Sequence, residues 1–127
     1  MFVDGEWVES ETGARFNSIN PATEDVWATF PNSSASDVDR AVKAAHAAFA
    51  EGPWSRMSPT ERGRYLHRIA RALEARADRL AKLETTDTGK LLRETRWQAR
   101  NLVGVYEYYG GLADKLEGSV PLGGPDG

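Results

Sequence analysis

The sequence of 127 residues contains no cysteine. Disulfide frameworks, thiolate zinc sites and a thiol nucleophile are therefore excluded for this chain. Histidine is nearly as scarce, since only His46 and His67 are present. The chain therefore has few histidines from which a metal site or a catalytic triad could be built.

The chain also lacks long apolar runs and an excess of basic residues. No apolar stretch approaches the roughly 20 residues of a membrane span, and the first residues lack the basic and apolar regions of a secretory signal. Sixteen Lys and Arg stand against 19 Asp and Glu, a net charge of −3, whereas a general polyanion binder usually has a basic excess. We therefore expect a cytoplasmic chain that binds neither membrane nor nucleic acid.

The first 31 residues predict β-hairpins. Asp4-Gly5 separates two short apolar stretches and favours a tight primed turn. Residues 15–19 and 26–30 have extended character on either side of an Asn20-Pro21-Ala22-Thr23 turn. Two-stranded ribbons are marginal alone in water, and neither pair has an obvious third strand.

Helices are predicted over residues 36–116. The first begins at a capping box of Ser36 and Asp39 and ends at Gly52, which is free to turn left-handed. The second begins at Ser58, with Pro59 at its first position and Glu61 completing a capping box.

Two further helices complete this predicted helical region. The third covers residues 78–87, with Gly89 as its stop. The fourth covers residues 93–116, and its Gly110-Gly111 pair indicates close packing or a bend, because each glycine costs helix stability. Residues 117–127 are rich in Gly and Pro and are predicted to be an exit loop.

The fourth helix carries a row of mixed chemistry, and the second is basic. The row places Trp97 and Asn101 on the same side as Gly104 and Tyr108. Residues 56–82 hold eight bases and three acids, a distribution that suggests either a nucleic-acid face or a solvated helix surface whose alkyl stems cover apolar neighbours. We favour the second interpretation, because residues 1–55 hold nine acids against three bases and would repel phosphate.

Taken together, the landmarks resemble the N-terminal portion of the aldehyde dehydrogenase superfamily. The resemblance covers nearly the whole chain and is closest to the NAD-dependent aldehyde and betaine-aldehyde dehydrogenase branches. The segments that carry it, in the family's order, are residues 2–8, the Asn-Pro-Ala-Thr turn at 20–23, 36–49, 59–66, Leu83 to Lys90 and Tyr108 to Asp114.

This resemblance implies a fold and an activity. The implied fold is of the α/β class, in which residues 1–127 form an incomplete, mostly helical piece of the cofactor-binding domain. Members of the family oxidise an aldehyde to a carboxylic acid with NAD or NADP, using a Cys nucleophile, a Glu base and an Asn that helps to hold the oxyanion. This chain has no Cys, and the family's Glu, Asn and Gly-rich cofactor segments have no counterpart in it. We therefore expect no catalytic or cofactor-binding residue here, and no dehydrogenase activity from this segment alone.

The resemblance also implies two kinds of site residue. Some relatives bind Na⁺ or K⁺ through oxygen atoms at positions that correspond to Ser18, Ile19 and Asp87, although a cap for backbone amides is the favoured role of Asp87. Trp97 and Asn101 correspond to residues that line the substrate channel, but simple helix packing against further chain explains them as well. The implied partners are the remainder of the dehydrogenase chain and further copies of it in a dimer or tetramer. A non-catalytic helical interaction module derived from a dehydrogenase is the competing function.

Overall fold

The computed structural model describes residues 1–119, in which four short strands precede four α-helices. Strands β1 (Phe2–Val3) and β2 (Glu6–Trp7) form one antiparallel pair, and β3 (Arg15–Ile19) and β4 (Val26–Pro31) form a second. The helices are α1 (Ala35–Ala50), α2 (Pro59–Glu74), α3 (Ala77–Thr88) and α4 (Leu92–Leu112), with a 3-10 helix at Pro53–Arg56. The mostly helical architecture with N-terminal hairpins is as the sequence predicts.

Both hairpins form where the turn residues indicate. Asp4 and Gly5 have φ angles of 53° and 81°, which are the two left-handed residues of a primed turn. In the second pair, Phe16 lies opposite Phe30, and their rings stack with centroids 5.7 Å apart. Each ribbon keeps two open edges, so both depend on the helices for further support.

Helix α1 begins two residues earlier than the sequence suggests, and the expected capping box at Ser36 and Asp39 is wrong. Ser34 is the N-cap, and its hydroxyl accepts from the Asp37 amide while the Asp37 carboxylate accepts from the Ser34 amide. Ser34 with Asp37 and Ser36 with Asp39 both have the three-residue spacing of a capping box. Ser34 rather than Ser36 is the cap because this helix start also lets Asp37 receive hydrogen bonds from the loop after β2.

The helix ends show two more differences from the sequence-based expectation. Gly52 is not left-handed: its φ is −67° and its ψ is 164°, because the following Pro53 forces the preceding residue into an extended conformation. Helix α4 ends at Leu112 rather than Leu116, since the Lys115 ammonium caps the Gly111 carbonyl at 2.6 Å and closes the last turn. Gly89, with φ of 74°, ends α3 as expected.

Helices α2, α3 and α4 pack together into what we call the helical unit. Within residues 1–119 the buried apolar side chains are three alanines, Ala70, Ala77 and Ala81. Thr95 of α4 is fully buried with them, and its hydroxyl lies 2.8 Å from that of Thr85 on α3. Small side chains let the helix backbones approach closely, so this core is thin.

The closest approach in the helical unit joins α2 to α4. A Cβ atom added at Gly63 would lie 2.6 Å from the backbone oxygen of Gly110, and one added at Gly110 would lie 2.9 Å from the ring of His67. Gly111 has open space around it. The close packing predicted for the glycine pair is therefore confirmed at Gly110 alone.

Residues 1–119 leave large apolar side chains uncovered. On α1, Val42 is 61% exposed and Phe49 is 75% exposed, so the apolar stripe of that helix faces solvent. None of the helices in this part of the chain combines the length and apolar composition that a membrane crossing requires. The predicted exit loop lies outside the described residues from 120 onwards.

Candidate functional site

The β3–β4 hairpin is fastened to the end of α3 by two contacts, which we call the clasp. The Ser18 hydroxyl donates a hydrogen bond of 2.6 Å to Oδ1 of Asp87, and itself accepts one of 3.0 Å from the Trp27 indole. Pro21 packs on Gly89 so closely that a Cβ at Gly89 would lie 2.8 Å from the proline Cγ. The clasp thus joins two segments that are 69 residues apart in sequence.

Gly89 meets two requirements of the clasp at once. Its left-handed φ of 74° ends α3 at little steric cost, because glycine has no Cβ. The same missing Cβ makes room for Pro21 of the Asn-Pro-Ala-Thr turn. The sequence indicated the helix stop, whereas the contact with Pro21 depends on the tertiary fold.

The clasp contains two of the three residues predicted for a monovalent cation. Ser18 and Asp87 are in direct contact, and Ile19 follows Ser18 on β3, where it pairs with Val26. Among residues 1–119 no group of three or more His, Asp or Glu side chains is placed to hold a metal ion. The cation site stays a prediction.

Trp97 and Asn101 lie on the outer face of α4. Trp97 is 66% exposed, and Asn101, Gly104 and Tyr108 of the same row are exposed as well. This row points away from the close contact with α2, which uses Gly110. The structure therefore brings the row together on one helix face, and its role in a substrate channel stays a prediction.

A cluster around Asp37 was missed by sequence reasoning. Asp37 is 1% exposed, and its carboxylate accepts hydrogen bonds from the Ser34 amide at 2.9 Å, the Ser10 hydroxyl at 2.8 Å and the Glu11 amide at 3.2 Å. The Arg40 guanidinium pairs with it at 2.7 Å. The hydrogen bond from the Ser34 amide is the largest cause that lowers the pKa of Asp37 to about 2, although burial opposes the shift. The Ser-x-x-Asp spacing at Ser34 was the available signal.

Two arginines of α2 lie over the aromatic rings of nearby residues. The guanidinium of Arg68 lies 4.9 Å from the Tyr65 ring centroid, and that of Arg62 lies 5.8 Å from Trp54. The rings of Trp54 and Tyr65 meet edge to face at 5.9 Å. Two of the guanidinium groups of α2 are therefore engaged by aromatic rings of the chain itself.

The strands of residues 1–119 do not form the parallel sheet that dinucleotide-binding sites use. Their two sheets are separate antiparallel pairs, whereas such a site requires parallel strands with a Gly-rich turn into a helix. The chain also has no Cys to serve as a nucleophile.

Comparisons with known proteins agree with the family resemblance found in the sequence. A sequence model of the aldehyde dehydrogenase family matches residues 7–125. The chain is 45% identical over 127 residues to (Z)-2-((N-methylformamido)methylene)-5-hydroxybutyrolactone dehydrogenase of Acinetobacter baylyi, covering 99% of this chain and 26% of that protein. It is 38% identical over 120 residues to betaine aldehyde dehydrogenase of Bacillus subtilis, covering 94% and 24%.

Solved structures show the same relation. An NAD-dependent aldehyde dehydrogenase of Sinorhizobium meliloti superposes with a TM-score of 0.89 at 37% identity, covering 94% of this chain and 24% of that one. A variant of betaine aldehyde dehydrogenase of Staphylococcus aureus in complex with NAD⁺ superposes with a TM-score of 0.89 at 37% identity, covering 98% and 25%. The chain spans about a quarter of the length of the curated relatives it matches. Because the family match extends over residues 7–125 of 127, the chain belongs to the aldehyde dehydrogenase family.

Proposed function

We propose that this chain is the N-terminal segment of an enzyme that oxidises an aldehyde to a carboxylic acid with NAD⁺ or NADP⁺, and that the segment alone is inactive. The observation that carries the proposal is a family match over residues 7–125 that amounts to a quarter of the relatives' length. The absence of Cys supports inactivity, because the family's covalent step has no nucleophile here. NAD⁺ is the better supported cofactor, since a relative holds it in its structure.

Two assays test this proposal. The purified chain, mixed with betaine aldehyde and NAD⁺, should form no NADH, with the betaine aldehyde dehydrogenase of Staphylococcus aureus as the positive control. A chimera of that enzyme, in which this chain replaces the matching segment, should fold and form NADH. Turnover by the chain alone would contradict inactivity, and a folded chimera without turnover would contradict the enzymatic role.

The two site predictions belong to the complete enzyme and are proposed for it. Oxygen atoms of Ser18, Ile19 and Asp87 would hold Na⁺ or K⁺, a proposal that the contact between Ser18 and Asp87 supports. The Trp97 and Asn101 row would line the substrate entrance, which its exposure supports. In the chimera, Asp87→Asn should abolish the rise in Tm on adding K⁺, and Trp97→Ala should change KM for betaine aldehyde more than kcat.

A non-catalytic interaction module is the second candidate. The uncovered apolar side chains of α1 favour it, because large exposed apolar patches mark protein contacts. The chimera separates the two candidates, since an interaction module would not restore turnover. Assembly into a dimer or tetramer is proposed for the complete enzyme on the basis of the family.

A further inference from the structure

Helix α2 presents three arginines on one exposed face, which we call the arginine face. Arg64, Arg68 and Arg71 follow one another at i, i+4 and i+7, so their side chains lie along the same side of the helix. All three are exposed, and none forms an ion pair with another residue in the range 1–119. The described part of the chain therefore leaves three positive charges of this face without a carboxylate partner.

Neighbouring groups hold the arginine face in place without pairing with it. The Arg68 guanidinium lies 4.9 Å from the Tyr65 ring centroid, a contact that restricts its movement. Glu61 lies one turn before Arg64, but its carboxylate accepts hydrogen bonds of 2.8 Å from both the amide and the hydroxyl of Ser58. Because the helix cap holds this carboxylate, the guanidinium groups stay available to a partner.

The N-terminal region offers a surface of the opposite charge, a groove between the β1–β2 hairpin and α1 that we call the acidic groove. Its volume is about 460 Å³, and part of its lining is apolar, with Val3, Val8 and Ala47. Asp4 and Glu6 also line it. Both are exposed, and neither forms an ion pair within residues 1–119.

The basic residues of the acidic groove are already paired. Arg40 lies 2.7 Å from Asp37, and Lys43 lies 2.7 Å from Asp39. The unpaired charge of the groove is consequently negative. Guanidinium groups of a partner would meet carboxylates there, and their alkyl stems would meet the apolar lining.

The charge distribution of the whole chain favours a second copy as the partner over a polyanion. Residues 1–55 hold nine acids and three bases, whereas residues 56–82 hold eight bases and three acids. A long polyanion on the arginine face would be repelled by the acidic region of the same chain. A second copy instead places each region against its opposite, and complementary charges of this kind steer association and fix orientation.

We infer that the arginine face of one copy docks in the acidic groove of a second copy, so that two copies form a two-fold dimer with two identical contacts. In each contact, the three guanidinium groups of one copy lie against Asp4 and Glu6 of the other. Exposed ion pairs contribute little individually, so the dimer is weak and sensitive to salt. This inference concerns the chain itself and does not depend on the proposed function.

Sedimentation velocity of the 127-residue chain tests the inference. At a chain concentration of about 100 µM we expect a reversible dimer in roughly 0.05 M salt, and association at least tenfold weaker in roughly 0.5 M salt, because salt screens exposed charges. A chain that stays monomeric at the lower salt concentration would overturn the inference, as would a dimer that salt leaves unchanged.

Charge reversal on either surface should abolish the dimer. Arg64→Glu/Arg68→Glu/Arg71→Glu sets like charges against Asp4 and Glu6. Asp4→Asn/Glu6→Lys removes both carboxylates of the groove, and asparagine tolerates the left-handed φ of 53° at the turn. Each variant alone should be monomeric, whereas an equimolar mixture should dimerise again, because every contact then joins opposite charges. A dimer that survives either reversal, or a mixture of folded variants that stays monomeric, would overturn the inference.

A control variant with the same change in net charge is Arg56→Glu/Arg79→Glu/Arg93→Glu. These arginines are exposed and lie outside the arginine face. Their reversal should leave the Kd of the dimer within about threefold, and loss of the dimer would show that net charge alone governs association, against the inference. Circular dichroism checks that each variant is folded. If the triple arginine variant does not fold, Asp4→Asn/Glu6→Lys by itself decides the test, because it changes only an exposed hairpin.

Fluorescence anisotropy with a labelled single-stranded RNA of about 20 nucleotides covers the other partner. The chain should not bind this RNA at roughly 0.15 M salt. A monomeric chain that binds it, and loses binding on reversal of the arginine face, would identify a polyanion as the partner and overturn the inference.

Discussion

Helices α2 and α4 approach until backbone meets backbone, whereas α1 and the two hairpins reach their neighbours mainly through polar side chains. At the first contact, Gly63 and Gly110 leave no space for a Cβ. In the second region, Asp37 gathers hydrogen bonds from Ser10, Glu11 and Ser34, while the apolar stripe of α1 faces solvent. The helical unit is therefore specified by close packing, and the N-terminal region by a few directional hydrogen bonds.

The largest expected effect comes from filling the closest contact of the helical unit. Gly63→Ala should destabilise the chain by about 2–3 kcal/mol, because the new Cβ would overlap a backbone oxygen that cannot rotate away. Gly104→Ala is the matched control on α4. Its Cβ meets open space, so it should stabilise by about 0.5–1 kcal/mol. Urea unfolding followed by circular dichroism measures both, and equal effects would refute the close contact.

Gly89→Ala tests the clasp and should cost about 2 kcal/mol. Part of this is the left-handed φ, which costs an L-residue about 1–2 kcal/mol, and the rest is overlap with Pro21. Gly13→Ala is the control, because Gly13 has φ of 66° with nothing near its Cβ. The difference between the two unfolding free energies should vanish in a Pro21→Ala background. A difference that persists there would show that Pro21 is not the obstacle.

Gly110→Ala should cost about 1 kcal/mol, less than Gly63→Ala, because the nearest obstacle is the His67 side chain and the backbone oxygen of Gly63 lies farther away, at 3.2 Å. Combining it with His67→Ala should recover about 0.5–1 kcal/mol in a double-mutant cycle. The adjacent Gly111→Ala should be neutral or slightly stabilising, since its Cβ meets nothing within 4 Å. Additive effects of Gly110→Ala and His67→Ala would contradict the contact.

The smallest effect on the helical unit is expected from Asp37, whose contacts lie in the N-terminal region. Its folded-state pKa of about 2 is below the ordinary 3.8, so its ionised form contributes stability that is fully present above pH 3.8 and is lost as the pH falls towards 2. Amide exchange near Ser10 and Glu11 should accelerate over that window. Asp37→Asn should remove the pH dependence, whereas Asp39→Asn, at an exposed pair with Lys43, should retain it.

Local signals in the sequence predicted most of the helices and strands. Where two helix starts were possible, tertiary contacts decided between them. Asp4-Gly5 and Ser58-Pro59 place a turn and a helix start through their own backbone preferences, and the structure agrees. The choice between Ser34 and Ser36 as the cap of α1 depended on Ser10, which is distant in sequence. Pairwise spacing along one helix carries no information about such a partner.

Some parts of the candidate site were likewise predicted from the sequence, and others were not. Ser18 and Asp87 were named together only because the family resemblance implies it, and the structure places them in contact. The apolar groove lined by Trp27, Phe30 and Leu83 was not foreseen, because its walls come from β4 and three helices, and no single segment shows a periodic signal for it. Thr95 escaped notice as well, since a threonine among polar neighbours gives no sign that its side chain is fully buried.

The clasp has a consequence for the order of assembly. Its hydrogen bond spans 69 residues, so forming it early would require a large loop to close before α2, α3 and α4 exist to compensate for the lost chain entropy. Contacts of short sequence separation form faster than such distant ones. We therefore expect the hairpin to dock late in folding, onto helices that have already met, because during synthesis Asp87 emerges 69 residues after Ser18.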